Sequence, residues 1–156
     1  MIFERAGKED FQEVNRLARQ VCEHHAQWDT SIQLMEEPYP MDWFLECIGE
    51  ESLHSSTIYV ARKEDKVVGF MRFYLWETNS TVSGKRKMLT IDDIGVDESL
   101  RNQGIGQEMM GKLRDLAKGW GCESIRLYVD AENESAYQYY RKCGFHVRNI
   151  GMGLNI

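Results

Sequence analysis

The chain is 156 residues long, 42% hydrophobic and holds only two prolines, which suits one folded domain with a sizeable core and excludes a disordered or proline-rich scaffold. Twenty-five acidic against nineteen basic residues leave a formal charge of -6, which argues against general nucleic-acid binding and favours a cationic partner. The N-terminus lacks the apolar core of a signal peptide and no apolar run approaches a membrane span, so a cytoplasmic location is expected, with neither nucleic acid nor membrane as partner.

Ile2 to Arg5 reads as a short strand, and Phe11, Val14, Leu17, Ala18 and Val21 then trace one face of a helix. From Glu23 to Ser56 the periodicity is lost, with a short helix expected to begin near Asp42. Thr57–Arg62 and Val67–Trp76 predict a hairpin about the polar turn Lys63 to Lys66, and Thr78 to Lys87 predicts a second turn leading into a strand from Met88 to Val96. Its Lys85-Arg86-Lys87 run reads as a solvated edge. Ile105, Met109, Leu113, Leu116 and Trp120 recur at helical spacing, Ser124 to Val129 reads as a further strand, and Asn133 to Cys143 as a helix closed by Gly144. Phe145 to Ile156 is expected to supply one or two terminal strands. The sum is an α/β chain with a sheet of mixed, mostly antiparallel direction flanked by helices.

Cys22, Cys47, Cys122 and Cys143 are scattered without a C-x-x-C or Cys/His spacing and read as reduced, partly buried small residues. His24 and His25 are adjacent, so on a helix they point about 100° apart and do not form an i, i+4 pair. No metal is expected.

The run Arg101-Asn102-Gln103-Gly104-Ile105-Gly106 sits between the strand ending at Val96 and the helix beyond it. Glycines at such a junction leave backbone N–H groups at a helix N-terminus bare enough to hold a phosphate. The spacing matches neither the G-x-x-x-x-G-K-[ST] triphosphate loop nor the G-x-G-x-x-G dinucleotide loop, since Glu108 and Met109 follow Gly106.

Ile94 through Gly106, taken with Asn133-Glu-Ser-Ala136-Tyr-Gln-Tyr-Tyr140-Arg-Lys-Cys-Gly144-Phe145, closely resembles the GCN5-related N-acetyltransferase family, and the likeness extends over essentially the whole chain. It implies a single-domain acyl-CoA N-acyltransferase fold over residues 1–156 with acetyl-CoA as cosubstrate. By this resemblance Ile94, Gly95 and Val96 pair with the pantetheine arm, and Arg101, Asn102, Gln103, Gly104, Ile105 and Gly106 hold the pyrophosphate. Arg101 reads equally well as a surface arginine that bonds its own loop. Asn133 contacts the cofactor arm by resemblance and is also a natural helix N-cap. Tyr140 resembles the residue that protonates the departing thiolate; Tyr137 and Tyr139 are off that spacing and read as packing or pocket residues.

An alkylammonium with a pKa of about 10.4 is only about 0.04% free base at pH 7, a deficit of roughly 4.6 kcal/mol, so direct transfer needs a base. Asp92 is the first choice by resemblance and Asp93 the second; alternation places them on opposite faces unless a bulge intervenes. A strand N–H near Ile94 would stabilise the oxyanion. The expected function is acetyl transfer from acetyl-CoA to a primary amine, with a small cationic amine as substrate partner. A peptide or protein acceptor and a non-catalytic acyl-CoA sensor are the rival readings. By resemblance a homodimer would join through the terminal strands or the Thr78–Lys87 hairpin.

Overall fold

The computed structural model describes residues 1–50, 52–82 and 84–154. The elements run β1 (Ile2–Arg5), α1 (Phe11–His25), α2 (Met41–Cys47), β2 (Ser56–Lys63), β3 (Lys66–Ser80), β4 (Gly84–Val96), α3 (Ile105–Gly119), β5 (Ser124–Leu127) and α4 (Glu134–Lys142), with single 3-10 turns at Lys8–Asp10 and Glu98–Leu100. Five strands lie in the order β1-β2-β3-β4-β5. Every neighbouring pair is antiparallel except β4 and β5, which are parallel. Among the described residues no helix is long and apolar enough to cross a membrane.

Two cores cover the two faces of this sheet. Phe11, Val14, Leu17 and Ala18 of α1 and Phe44 of α2 pack on Ile58, Val60 and Phe70. On the other face Ile105, Met109, Met110, Leu113 and Ala117 of α3 pack on Met71, Phe73, Leu75, Leu89 and Ile91. α1 and α3 thus bury the stripes their apolar spacing predicts, α2 begins at Met41 beside the expected Asp42, and α3 ends at Gly119 beside the expected Trp120, while α1 runs on to His25, past the expected loss of periodicity at Glu23. Arg62, ion-paired to Asp10 at 2.6 Å and to Glu4 at 2.7 Å, ties the start of α1 to β1 and β2.

Two stretches depart from the sequence reading. Thr78 to Lys87 is not a long turn: β3 and β4 stay paired from Glu77↔Lys87 to Ser80↔Gly84. Opposite charges meet across this extension, since Lys85 on β4 reaches Glu77 on β3 at 3.1 Å. Residues 145–154 carry no strand, and Val147, Ile150, Met152 and Leu154 are exposed, so the terminal strands expected there are not formed; Asn155 and Ile156 lie outside the described residues. The apolar alternation of that segment is interleaved with Gly151 and Gly153, whose backbone entropy weakens a strand.

Candidate active site

β4 and β5 pair only from Met88↔Ser124 to Ile91↔Leu127 and then part. β5 ends at Leu127, short of the Val129 expected from sequence, whereas β4 runs on to Val96. The outer edge of Ile94 to Val96 therefore has no strand beside it, with Met71, Phe70 and Gly69 of β3 paired on the inner side only. A cleft of about 620 Å³ opens in this fork, lined by β4 from Asp92, by the loop into α3, by Tyr128 to Asp130 and by α4. Such a fork gives an extended ligand backbone an unpaired strand edge to bond.

At the closed end of the fork the register of β3 on β4 shifts, because Arg72 faces Asp93 while Phe73 faces Ile91. Asp92 is the extra residue of a single-residue bulge, and the bulge turns both carboxylates to one face. Arg72 collects them: Nη1 donates to Asp92 Oδ2 at 2.6 Å and Nε donates to Asp93 Oδ2 at 2.7 Å. The Tyr39 hydroxyl donates to the same Asp93 oxygen at 2.6 Å, and the Arg72 guanidinium lies 5.9 Å from the Tyr39 ring and 5.5 Å from that of Trp43. Burial pushes the Asp92 carboxyl up, and Arg72 opposes the shift. Burial works against the charge of Arg72, but Asp93, Tyr39 and Asp92 together hold its pKa above the ordinary value. No spacing rule singles out Arg72. The available signal is that two adjacent acids in the mostly apolar stretch from Met88 to Val96 demand a basic neighbour across the ladder.

Tyr140 stands in the same cleft wall, packed on Tyr139 and Phe145 with ring centroids 5.2 and 5.8 Å away. Burial, with smaller contributions from Cys143 and Asp93, pushes its hydroxyl up to about 12, so the phenol keeps its proton at neutral pH. Asn133 is buried and its Oδ1 accepts from Ala136 N and Ser135 Oγ, both at 3.1 Å, which makes it the cap of α4. Asn133→Ala is expected to cost about 1 kcal/mol, a fall in Tm of about 2–4 °C, read by thermal unfolding. An unchanged Tm would show that the cap contributes nothing.

The glycine run forms the far wall. Asn102 and Gly104 both take left-handed backbone, at φ 62° and 81°, and Gly104 is the N-cap of α3. The first amides of α3 have no acceptor within the helix, so they face the cleft with the dipole behind them. A Cβ on Gly104 would meet nothing within 4 Å, which leaves that space to a ligand. At Gly106 a Cβ would stand 3.0 Å from the Tyr139 hydroxyl, itself buried beside Cys143 without a nitrogen or oxygen partner among the described residues. Gly106→Ala is expected to weaken CoA binding and lower stability by about 1–3 kcal/mol, and adding Tyr139→Phe should recover part of both. If the second substitution recovers neither, the contact does not explain the glycine.

Every residue predicted for the site lines this cleft except Gln103, which lies on the loop but outside the wall. Arg101 takes the local alternative, with Nε donating to Val96 O at 3.4 Å. His24, His25 and Lys142 also line the cleft. Burial lowers His24, helped by Arg101 and His25. Bare amides and open space at Gly104 fit a pyrophosphate-bearing ligand.

The model of the Acetyltransferase (GNAT) family matches residues 18–145. An N-acetyltransferase of Methanocaldococcus jannaschii, itself uncharacterized, is 31% identical over 96 residues, or 61% of this chain; the stretch is 41% of the relative, so the chain spans less than half of that protein. The thialysine N-epsilon-acetyltransferase of Bos taurus is 29% identical over 143 residues, covering 90% of this chain and 81% of that protein. The X-ray structure of a tetramutant of the BH1408 protein from Bacillus halodurans matches with a TM-score of 0.91 at 28% identity, over 100% of both chains.

Proposed function

This chain belongs to the Acetyltransferase (GNAT) family, and on that premise we propose that it moves an acetyl group directly from acetyl-CoA to the primary amine of a small molecule. The observation that carries the reading is the bulge, which sets Asp92 and Asp93 at the closed end of the β4–β5 fork within the cleft that Tyr140 also lines. Acetyl-CoA supplies the thioester and a thiolate leaving group. The amides from Asn102 to Gly106 hold the pyrophosphate, and the outer edge of Ile94 to Val96 bonds the pantetheine arm. Asp92 takes the ammonium proton. It is favoured over Asp93 because Asp93 Oδ2 already accepts from both Arg72 and Tyr39, whereas Asp92 accepts from Arg72 alone, and burial has raised its basicity. Tyr140 faces the departing sulfur with its proton in place.

Arg72 neutralises one of the two acids, so the cluster keeps one net negative charge, enough to favour an ammonium-bearing acceptor. Tyr39 and Trp43, with ring centroids 5.1 Å apart, narrow the approach and favour a small acceptor over a peptide. The bovine relative, whose name gives an amino-acid derivative as acceptor, supports the same class. Thiol release from acetyl-CoA is the test, run across a panel of small amines and peptides. Amine-dependent release with small amines preferred is expected; CoA binding without release for any amine would leave a sensor, and release with peptides alone would overturn the acceptor class.

A further inference from the structure

Six arginines among the described residues are half-buried, and five of them have oxygen partners. Arg5 donates to Gly49 O, Arg16 to Asp97, Arg19 to Glu36 O, Arg62 to Asp10 and Arg72 to Asp93. Among the described residues Arg126 on β5 has none: its Nε is buried without a hydrogen-bond partner, and no ion pair among them reaches the guanidinium. What it touches is the ring of Trp76, with the guanidinium 5.4 Å from the centroid. A guanidinium is seldom left this way unless an anion completes it, because its planar fork of donors matches a carboxylate or phosphate.

The sheet fixes where this guanidinium, with its Nε unpartnered, points. Arg126 pairs with Thr90 in the parallel ladder, so the two side chains share a face. Trp76 belongs to that face too, since its Nε1 donates to Thr90 Oγ1 at 3.0 Å. Phe73 and Leu75 enter the α3 core, so Arg72, Tyr74 and Trp76 alternate to the opposite side, the side on which the bulge presents Asp92 and Asp93. Arg126, Trp76 and Thr90 therefore continue the surface that begins at Asp92. Two residues along β4 and one strand across separate the two ends by about 8 Å.

We infer that Arg126, laid on Trp76, binds an anionic group of the acceptor, so that the substrate is an amine carrying a carboxylate or phosphate a few carbons from its reactive nitrogen. The nitrogen sits at Asp92 and the anion at Arg126, and the spacing between them selects the chain length. This deepens the N-acetyltransferase reading and rests on it. The acidic character of the chain and the anionic Asp92–Asp93 cluster speak for the ammonium end, while the unpaired arginine speaks for the other end, so the acceptor is zwitterionic rather than a simple cation.

The test compares acetylation of ω-amino carboxylates of increasing length, matched ω-aminoalkyl phosphates and alkylamines of the same lengths, with CoA release as the readout. One anionic series should exceed its alkylamine counterparts by about 10–100-fold in kcat/KM at an optimum length, the range expected for a charged hydrogen-bonded contact. Which series does so separates carboxylate from phosphate. Arg126→Gln should erase the difference while leaving alkylamine turnover and CoA affinity unchanged, and Arg126→Lys should keep part of it. Equal rates for alkylamines and both anionic series would overturn the inference and leave the acetyltransferase reading standing, as would a preference that survives in Arg126→Gln. No release with any amine would instead overturn the underlying reading.

Discussion

Replacing Tyr140 by phenylalanine is expected to lower kcat by about 10- to 150-fold while leaving the affinity for acetyl-CoA within about twofold. The magnitude follows from the acidity of the two groups. A thiol of ordinary pKa near 8.5 is a stronger acid than a phenol raised to about 12, so full proton transfer from Tyr140 to a free thiolate is uphill. Its contribution is then that of a hydrogen bond to a developing anion, about 1.5–3 kcal/mol, rather than that of a matched general acid. The ring itself, packed on Tyr139 and Phe145, is kept in the variant, so the cleft wall survives. Steady-state kinetics with a separate CoA binding titration distinguishes the two effects. Unchanged kcat would remove the hydroxyl from the chemistry, and a loss confined to CoA affinity would make Tyr140 a binding residue only.

Arg72→Met should carry the largest stability cost of any single change at the site. Arg72, Asp92 and Asp93 have side chains about a fifth to a quarter exposed, at 21%, 27% and 19%. Breaking a fully buried pair costs about 3–5 kcal/mol, and partial exposure places this one near the lower end, about 3 kcal/mol. Without the guanidinium, two adjacent carboxylates repel each other on a bulge that burial already makes unfavourable for charge. The folded-state pKa of Asp92, already above its unfolded value, then rises further. The folded chain binds more protons than the unfolded one in that window, so stability falls as pH rises through it. The deficit relative to the unsubstituted chain is smallest at about pH 4, near the unfolded Asp value, and grows as pH rises above it, measured as urea midpoints across pH. The acid limb of the rate profile should move upward as well, because Asp92 must lose its proton to act as base. A pH-independent deficit would assign Arg72 to packing against Tyr39 and Trp43 alone.

Both helices that line the cleft, α3 and α4, and the loop that starts α3, were legible because their signals are local: apolar spacing at 3.6 residues, an asparagine cap, and glycines where the backbone turns left-handed. Placing Asp92 on one face with Asp93 was not legible, since a bulge is decided by register against β3 and leaves no mark in β4 itself. Arg72 and Arg126 escaped for a related reason. They lie on strands distant in sequence from the acids and from the glycine run, and only the ladder brings them to the same surface. The segment from Phe145 onward shows the converse. Its alternating apolar residues obey a strand pattern, yet β5 stops after four residues and residues 146–154 remain exposed and outside any strand. A strand needs a neighbour, and the pattern of one segment cannot supply it.

A crystal structure with bound CoA is the decisive measurement. The pyrophosphate is expected on the amides of Asn102 to Gly106, the pantetheine arm along the outer edge of Ile94 to Val96, and the sulfur between the Asp92 carboxylate and the Tyr140 hydroxyl. CoA bound outside the β4–β5 fork, or a sulfur remote from both side chains, would contradict this placement.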